Sequence, residues 1–267
     1  MPSKGSQQTD PSQSQVPASI TTKKCNRLEK KEIGYRMIHC IGDSHANFFS
    51  GSDEMQPEWP APDIENTLPF FKSYRIGPVL AYNLCEYGTS TKGREKLEEL
   101  LNLLEPGSYI MFCFGEIDCR AHIILQSQKQ NRSLETIIVE VVERYFSVIL
   151  QTRTMGFEPL IWNVIPSAPT EINNRIIVPP QYLFYGSCEE RNSITRFFNQ
   201  TLEGLTKSTN IHFLNIFDQL FLEEGSVNPA YFTDEIHLSQ KAMPLVLESL
   251  NKLFRSNKFC ESLKIEA

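Results

Sequence analysis

With 267 residues, 40% of them hydrophobic and 22% charged, the chain can bury one substantial core. Its net charge of −6 argues against nucleic acid as the main partner, and no segment reaches the apolar length of a membrane span. The first 22 residues, rich in Ser, Gln and Pro, lack the apolar core of a signal peptide, so we expect a cytoplasmic protein.

The cysteines and histidines indicate neither a disulfide framework nor a metal site. There are seven cysteines, an odd number, and the sequence contains no Cys-x-x-Cys pair. The five histidines show no metal-ligand spacing with carboxylates or thiols. We therefore predict no metal and no cofactor, and the sequence does not predict an oligomeric state.

Composition divides the chain into three parts. Residues 1–33 are predicted to form a disordered polar tail that ends in a basic cluster, and residues 259–267 a short C-terminal tail. The folded domain is expected to span residues 34–258. The basic cluster is typical of a solvated linker, although a tether to an acidic partner is the alternative.

The domain begins with an apolar run, 37–41, that stops abruptly at Gly42-Asp43-Ser44-His45. The run has the length of a buried strand, and Gly42 permits the sharp turn that ends it. Ser44 would then lie at the carboxyl end of a strand, the edge where open α/β sheets bind ligands. A helix that begins just after Ser44 would direct free backbone N–H groups toward the same place. Asp43 and Ser44 acting only as caps is the alternative interpretation.

Strand-like and helix-like segments alternate along the rest of the chain. The predicted later strands are 72–76, 109–114, 159–165 and 211–217, and the predicted helices are 79–87, 94–104, 134–150, 190–205 and 240–254, the last with Ser239 as N-cap. Long loops at 52–69 and 166–188 are expected to lie over the carboxyl edge of the sheet. This alternation predicts an α/β fold, a three-layer α/β/α sandwich around a five-stranded parallel sheet.

Charged groups are crowded where the third predicted strand ends. Glu116, Asp118 and Arg120 follow the strand closely, with His122 just beyond. They could form an internal ion-pair network that caps a helix, or Glu116 and Arg120 could line a substrate pocket. Arg120 would suit a carboxylate or phosphate of the substrate.

Two further residues are candidate substrate-binding groups. Asn163 lies near the end of the fourth predicted strand. His45 directly follows the serine, although a cap at the start of a helix is the simpler role for it.

A base for Ser44 is available near the end of the chain, in Asp234-Glu235-Ile236-His237. A spacing of three would place Asp234 and His237 on one side of a helical turn. The carboxylate could then accept the imidazole Nδ1–H and leave Nε2 facing outward. A serine followed late in the chain by Asp-x-x-His is a more specific signal than either motif alone.

With Gly42-Asp43-Ser44 and Asp234-x-x-His237 the sequence resembles the SGNH (GDSL-type) hydrolase superfamily, in its Gly-Asp-Ser-His variant. Gly77 resembles the glycine of the second sequence block. Gly115-Glu116-Ile117-Asp118 takes the place of the third block, where Ile117 occupies the position that usually holds asparagine.

The resemblance implies a flavodoxin-like sheet and a catalytic triad of Ser44, His237 and Asp234. It also implies an oxyanion hole formed by the N–H groups of Ser44 and Gly77. Three functions follow from it: a serine esterase that removes a small acyl group such as acetyl from a carbohydrate or other polar substrate, an O-acyltransferase that acts on a glycan, or a non-catalytic glycan-binding module.

Overall fold

The computed structural model describes residues 37–62, 64–169, 183–209 and 211–256, without the side chains of residues 254–256. Five parallel strands form one sheet in these ranges, in the order β2-β1-β3-β4-β5. The strands are β1 (Ile38–Gly42), β2 (Phe71–Arg75), β3 (Tyr109–Cys113), β4 (Glu158–Trp162) and β5 (His212–Leu214). The predicted five-stranded parallel sheet is confirmed, and the carboxyl ends of β2, β1 and β3 are neighbours.

Helices cover both faces of the sheet. The helices of the described residues are α1 (Gly93–Asn102), α2 (Ile123–Gln130), α3 (Leu134–Thr154), α4 (Cys188–Thr206) and α5 (Met243–Ser256). The first four share one apolar core around Phe112, while α5 and a 3-10 helix at Ser44–Ser50 share the other core around Met111. The three-layer α/β/α prediction is therefore confirmed. The predicted tails at 1–33 and 259–267 lie outside the described residues.

β1 and β3 approach each other unusually closely at Gly42. A Cβ atom on this residue would lie 2.1 Å from the carbonyl oxygen of Cys113 and 2.7 Å from its Cβ. The next residue, Asp43, donates its backbone N–H to the same carbonyl at 3.2 Å. Only glycine fits here, so Gly42 allows the turn before Ser44 to pass directly over the end of β3.

Segment 79–87, predicted to be a helix, forms a series of turns instead. The backbone N–H groups of Ala81 and Tyr82 donate to the buried Asp118 carboxylate, at 2.7 and 3.2 Å. The segment contains separate turns, such as that from the Asn83 N–H to the Leu80 carbonyl at 3.1 Å. Asp118 therefore holds the loop after β2.

Other differences concern the ends of elements. β4 ends at Trp162 and β5 at Leu214, both earlier than predicted. A short π-helix, Asp118–His122, and α2 were not predicted. The final predicted helix consists of a 3-10 turn, Gln240–Ala242, followed by α5, and Ser239 caps it as predicted by accepting the Lys241 N–H.

Candidate active site

Ser44 is the first residue of the 3-10 helix that follows β1. Asp43 is the N-cap of this helix, since its Oδ1 accepts the backbone N–H of His45 at 2.9 Å. The cap fixes the turn between the end of β1 and the helix. Ser44 is consequently held at the carboxyl edge of the sheet, where the sequence predicts it.

Asp234 and His237 meet Ser44 at this edge. Nδ1 of His237 lies 2.7 Å from Oδ2 of Asp234, and its Nε2 lies 2.8 Å from Oγ of Ser44. Because the carboxylate accepts the Nδ1–H, the Nε2 lone pair faces the hydroxyl. This arrangement can transfer the Ser44 proton to His237.

The expected helical turn at Asp234–His237 is not present, and the prediction of its conformation was wrong. The segment is a bend closed by the Thr233 N–H, which donates to the His237 carbonyl at 3.0 Å. Oδ1 of Asp234 accepts the N–H groups of Ile236 and His237 at 2.8 and 2.7 Å, which fixes the bend. Burial disfavours the charge on Asp234, but the hydrogen bonds from His237 and these N–H groups lower its pKa below the usual value.

His45 joins the two halves of the site. Its Nδ1 lies 2.8 Å from Oδ1 of Asp43 and its Nε2 lies 2.7 Å from the Ile236 carbonyl oxygen. Both partners are acceptors, so the ring carries two protons. Burial alone would lower the pKa of His45, but the carboxylates of Asp43 and Glu116 raise it to about 9. The resulting imidazolium stacks against His237, with ring centroids 5.1 Å apart.

The charge on His45 predicts how the free energy of unfolding depends on pH. A His45 pKa raised from 6.5 to about 9 stabilises the fold fully below pH 6.5, and this stabilisation is lost as the pH rises through 9. The shift corresponds to about 3 kcal/mol of unfolding free energy, which His45→Gln should remove. Urea unfolding at a series of pH values between 6.5 and 9 measures the slope of unfolding free energy against pH.

His39→Gln is the matched control for His45→Gln. Burial, assisted by Lys72, lowers the pKa of His39 to about 4, so this ring is uncharged throughout the tested range. Above about pH 7.5, where His39 is uncharged in the unfolded chain as well, its replacement should leave the slope of stability against pH unchanged. An equal slope in wild type and His45→Gln would contradict the assignment of the charge to His45.

Glu116 and Arg120 form a buried ion pair, with Nε of Arg120 2.8 Å from Oε1 of Glu116. Arg120 also donates from Nη1 to the Leu183 carbonyl at 2.7 Å, and its guanidinium lies 5.1 Å from the Phe184 ring. Arg120 lines a cavity next to Ser44, whereas Glu116 faces a small void that also borders His45. The structure therefore brings Arg120, but not Glu116, to the space beside the serine.

Asn163 lies away from that space. Its side chain is fully buried, donates to the Val164 carbonyl at 2.9 Å and accepts the Ile216 N–H at 2.9 Å. It is not among the described residues that line a cavity at Ser44. The bond to Ile216 joins the end of β4 to the segment after β5, and the contact of Asn163 with substrate stays a prediction.

Two cavities open at Ser44. The larger has a volume of about 650 Å³ and extends along the turns after β2, past Ile117 and Arg120 to Leu183. The smaller, about 340 Å³, lies on the His237 side and is lined by Asp53, Met55 and Trp162 among others. The loop after the 3-10 helix thus contributes to the site, as expected. Residues 170–182 of the other long loop lie outside the described residues.

Gly77 follows the end of β2, which is paired with the end of β1. Gly42 pairs with Arg75, and the Ile76 N–H donates to the Gly42 carbonyl at 2.9 Å. Gly77 has φ +109°, a conformation that favours glycine. In the described part of the chain neither the Gly77 nor the Ser44 backbone N–H has an acceptor. Both donors are thus free to bind an oxyanion.

The structure was compared with known proteins. It is similar to a Streptococcus pneumonia protein described as a candidate platelet activating factor, with a TM-score of 0.51 and 16% identity over 84% of this chain and 86% of that chain. It is also similar to the M. Smegmatis aryl esterase, with a TM-score of 0.50 and 17% identity over 83% of this chain and 99% of the other. Comparisons with family models and with curated proteins find no significant match.

These similarities extend over most of each chain and include the five parallel strands of the sheet and the helices on both of its faces in this chain. The chain has the SGNH hydrolase fold. In this SGNH fold the two motifs at opposite ends of the sequence meet at one edge of the sheet, 2.8 Å apart at their closest side-chain atoms.

Sequence reasoning missed two groups in this SGNH fold. Arg75, the last residue of β2, lines the larger cavity, and the Ile236 carbonyl accepts His45. A cation at the carboxyl end of a predicted strand was a usable signal for Arg75. The Ile236 contact has no local signal, because its partner lies 191 positions away in the sequence.

Within the described ranges the structure contains no group of three or more His, Cys, Asp or Glu side chains that could hold a metal ion. None of the helices within those ranges has the length and apolar character to cross a bilayer.

Proposed function

We propose that this protein is a serine esterase that removes a small acyl group, such as acetyl, from a carbohydrate or another polar molecule. The observation that supports it most is the chain of contacts from Asp234 through His237 to the Ser44 hydroxyl, at 2.7 and 2.8 Å. The backbone N–H groups of Ser44 and Gly77, which have no acceptor among the described residues, would donate to the oxyanion formed when an ester carbonyl is attacked. Charged side chains in the cavity linings, Arg75 and Arg120 in the larger and Asp53 in the smaller, support a polar substrate over a lipid.

In the proposed reaction Oγ of Ser44 attacks the ester carbonyl while Nε2 of His237 takes its proton. The N–H groups of Ser44 and Gly77 donate to the oxyanion that forms. His237 then gives the proton to the departing alcohol as the C–O bond breaks, which leaves an acyl-serine. Water attacks this ester with His237 again as base, and the acid and the free hydroxyl are released. Asp234 keeps the imidazole in the required tautomer throughout.

Ile117 limits the expected rate. It lines the larger cavity with Ser44, at the place where the SGNH resemblance expects an asparagine donor to the oxyanion. The side chain of Ile117 cannot donate a hydrogen bond. Removal of one such donor from an enzyme of this type costs about 3 kcal/mol of transition-state stabilisation. We therefore propose a hole with two backbone donors and a moderate turnover.

Labelling with a fluorophosphonate probe tests the proposal. The wild-type protein should be labelled at Ser44, which peptide mapping identifies, because the probe reacts with an activated serine hydroxyl. His237→Ala should abolish labelling, whereas His39→Gln should retain it, since His39 bonds to Tyr74 on β2 and has no part in the proposed reaction. A folded wild-type protein that is not labelled would contradict an esterase and favour the glycan-binding alternative.

The acyl acceptor is tested separately. Aryl acetates are suitable first substrates, in view of the similarity to an aryl esterase. Released acetate measures hydrolysis, and acetyl transfer to an added sugar measures the acyltransferase alternative. We expect water to be the main acceptor. Transfer to sugar in preference to water would contradict this and favour the acyltransferase.

A further inference from the structure

The larger cavity at Ser44 has a cationic lining. Its polar lining residues include Arg75, Asn83, Thr89, Arg120 and His122, and no carboxylate is found among the lining residues that the structure describes. The chain as a whole has a net charge of −6, so its composition does not account for such a lining. The smaller cavity differs, because its lining combines the carboxylates of Asp53 and Asp234 with the imidazolium of His45.

Arg75 supplies the uncompensated charge of this lining. Its Nε donates to the Gln56 carbonyl at 2.9 Å, a neutral acceptor, and within the described ranges it forms no ion pair with a carboxylate. Arg120, by contrast, shares its charge with Glu116. A half-buried guanidinium that faces a cavity without a counter-ion is the usual feature of an anion site.

Nearby carboxylates do not neutralise Arg75. Glu58 pairs with Lys96, and the buried Asp118 accepts the N–H groups of Ala81 and Tyr82. The charge of Arg75 is therefore available to a bound molecule.

Arg75 is also close to the proposed nucleophile. It pairs with Gly42 in the register of β1 and β2, two residues before Ser44. Neighbouring strands are about 4.8 Å apart, so a long arginine side chain at this position can reach a group on a molecule whose ester lies at Ser44. Thr89 and Asn83 in the same lining provide neutral donors for further oxygens of that group.

We propose that the larger cavity is a subsite for an anionic group of the substrate, a carboxylate, phosphate or sulfate, with Arg75 as its main ligand. The proposal rests on the proposed ester hydrolysis at Ser44 and specifies the substrate class: an ester that carries an anion within reach of the scissile bond. It predicts that an anionic group on the substrate changes kcat/KM far more than a neutral group of similar size does.

Matched pairs of esters test the subsite. One pair, para-acetoxybenzoate and its methyl ester, differs in charge on the alcohol side, and a second, the para-nitrophenyl monoester of succinate and para-nitrophenyl valerate, differs on the acyl side. The ratio of kcat/KM for anionic over neutral ester is compared among wild type, Arg75→Gln and Lys72→Gln. Comparison of ratios across variants cancels the intrinsic reactivity of each ester.

Lys72→Gln is the matched control, since it removes a positive charge from the same strand. Lys72 is exposed, lies over the Tyr74 ring at 5.6 Å and is not among the lining residues of either cavity. For at least one pair, Arg75→Gln should lower the ratio about tenfold or more, mainly through KM, as expected for a hydrogen bond to a charged group. Lys72→Gln should leave it unchanged. Equal ratios in wild type and Arg75→Gln for both pairs would overturn the subsite while leaving the esterase proposal intact.

A binding measurement separates the two proposals if no ester is hydrolysed. Titration calorimetry with phenyl phosphate and with benzoate should show binding to the wild type that is about tenfold weaker in Arg75→Gln and unchanged in Lys72→Gln. This result would support the subsite even where the esterase proposal fails. No binding of either anion to the wild type would overturn it.

Discussion

Replacement of Ser44 by alanine should lower the hydrolysis of aryl acetates by about four orders of magnitude or more. The hydroxyl is the proposed nucleophile, and its Oγ lies 2.8 Å from Nε2 of His237. Without it no acyl-serine can form, and the remaining groups can only polarise the carbonyl. Steady-state kcat/KM for para-nitrophenyl acetate, corrected for the uncatalysed rate, measures the loss.

Ser52→Ala is the matched control for Ser44→Ala. Its hydroxyl accepts the Glu54 N–H at 3.0 Å on the loop after the 3-10 helix and is not a lining group of either cavity among the described residues. The Ser52→Ala variant should hydrolyse para-nitrophenyl acetate within about twofold of the wild-type rate, since substitutions away from the reacting groups usually have small effects. Hydrolysis by Ser44→Ala at the wild-type rate, with normal circular dichroism, would mean that another group performs the reaction.

Gly42→Ala should lower the free energy of unfolding by about 3 kcal/mol, the upper end of the usual cost of overpacking. The added Cβ would lie 2.1 Å from a backbone oxygen of β3, which cannot move without distorting the centre of the sheet. The strain falls on the turn that holds Ser44, so fluorophosphonate labelling should decrease as well. Urea unfolding followed by circular dichroism measures the stability change.

Gly204→Ala provides a control of the same chemical kind. Gly204 lies in α4, and a Cβ there would meet no atom within 4 Å. Alanine in a helix interior is more favourable than glycine by about 0.5–1 kcal/mol, so this variant should be slightly more stable than wild type. Equal stabilities of the two alanine variants would show that the close approach at Gly42 does not constrain the fold.

Much of the fold was predictable because its signals are local. β1 and β3 are short, mostly apolar runs, and the apolar residues of α1 and α3 recur at helical spacing on the buried face. The contact between His237 and Asp234 was predictable for the same reason, as the two residues are three positions apart.

The rest depended on contacts between distant parts of the chain. Segment 79–87 has helical spacing, but its N–H groups donate to Asp118 on another element. Asn163 lies at a strand end like a site residue, yet its amide binds backbone at the end of β5. The Ile236 carbonyl that accepts from His45 lies 191 positions away in the sequence. None of these partners can be read from a local pattern.

The position of His237 in the chain has a consequence for biosynthesis. Ser44 and its proposed base are 193 positions apart, and β5, the last strand to be made, ends at Leu214. Domains fold as their segments leave the ribosome, so all five strands can be present before Asp234 and His237 are added. A nascent chain would then carry the serine without its base, and so without esterase activity, until almost the whole domain has been translated. A proteolytic cut between Leu214 and Thr233 that releases the later segment would likewise leave Ser44 without its proposed base.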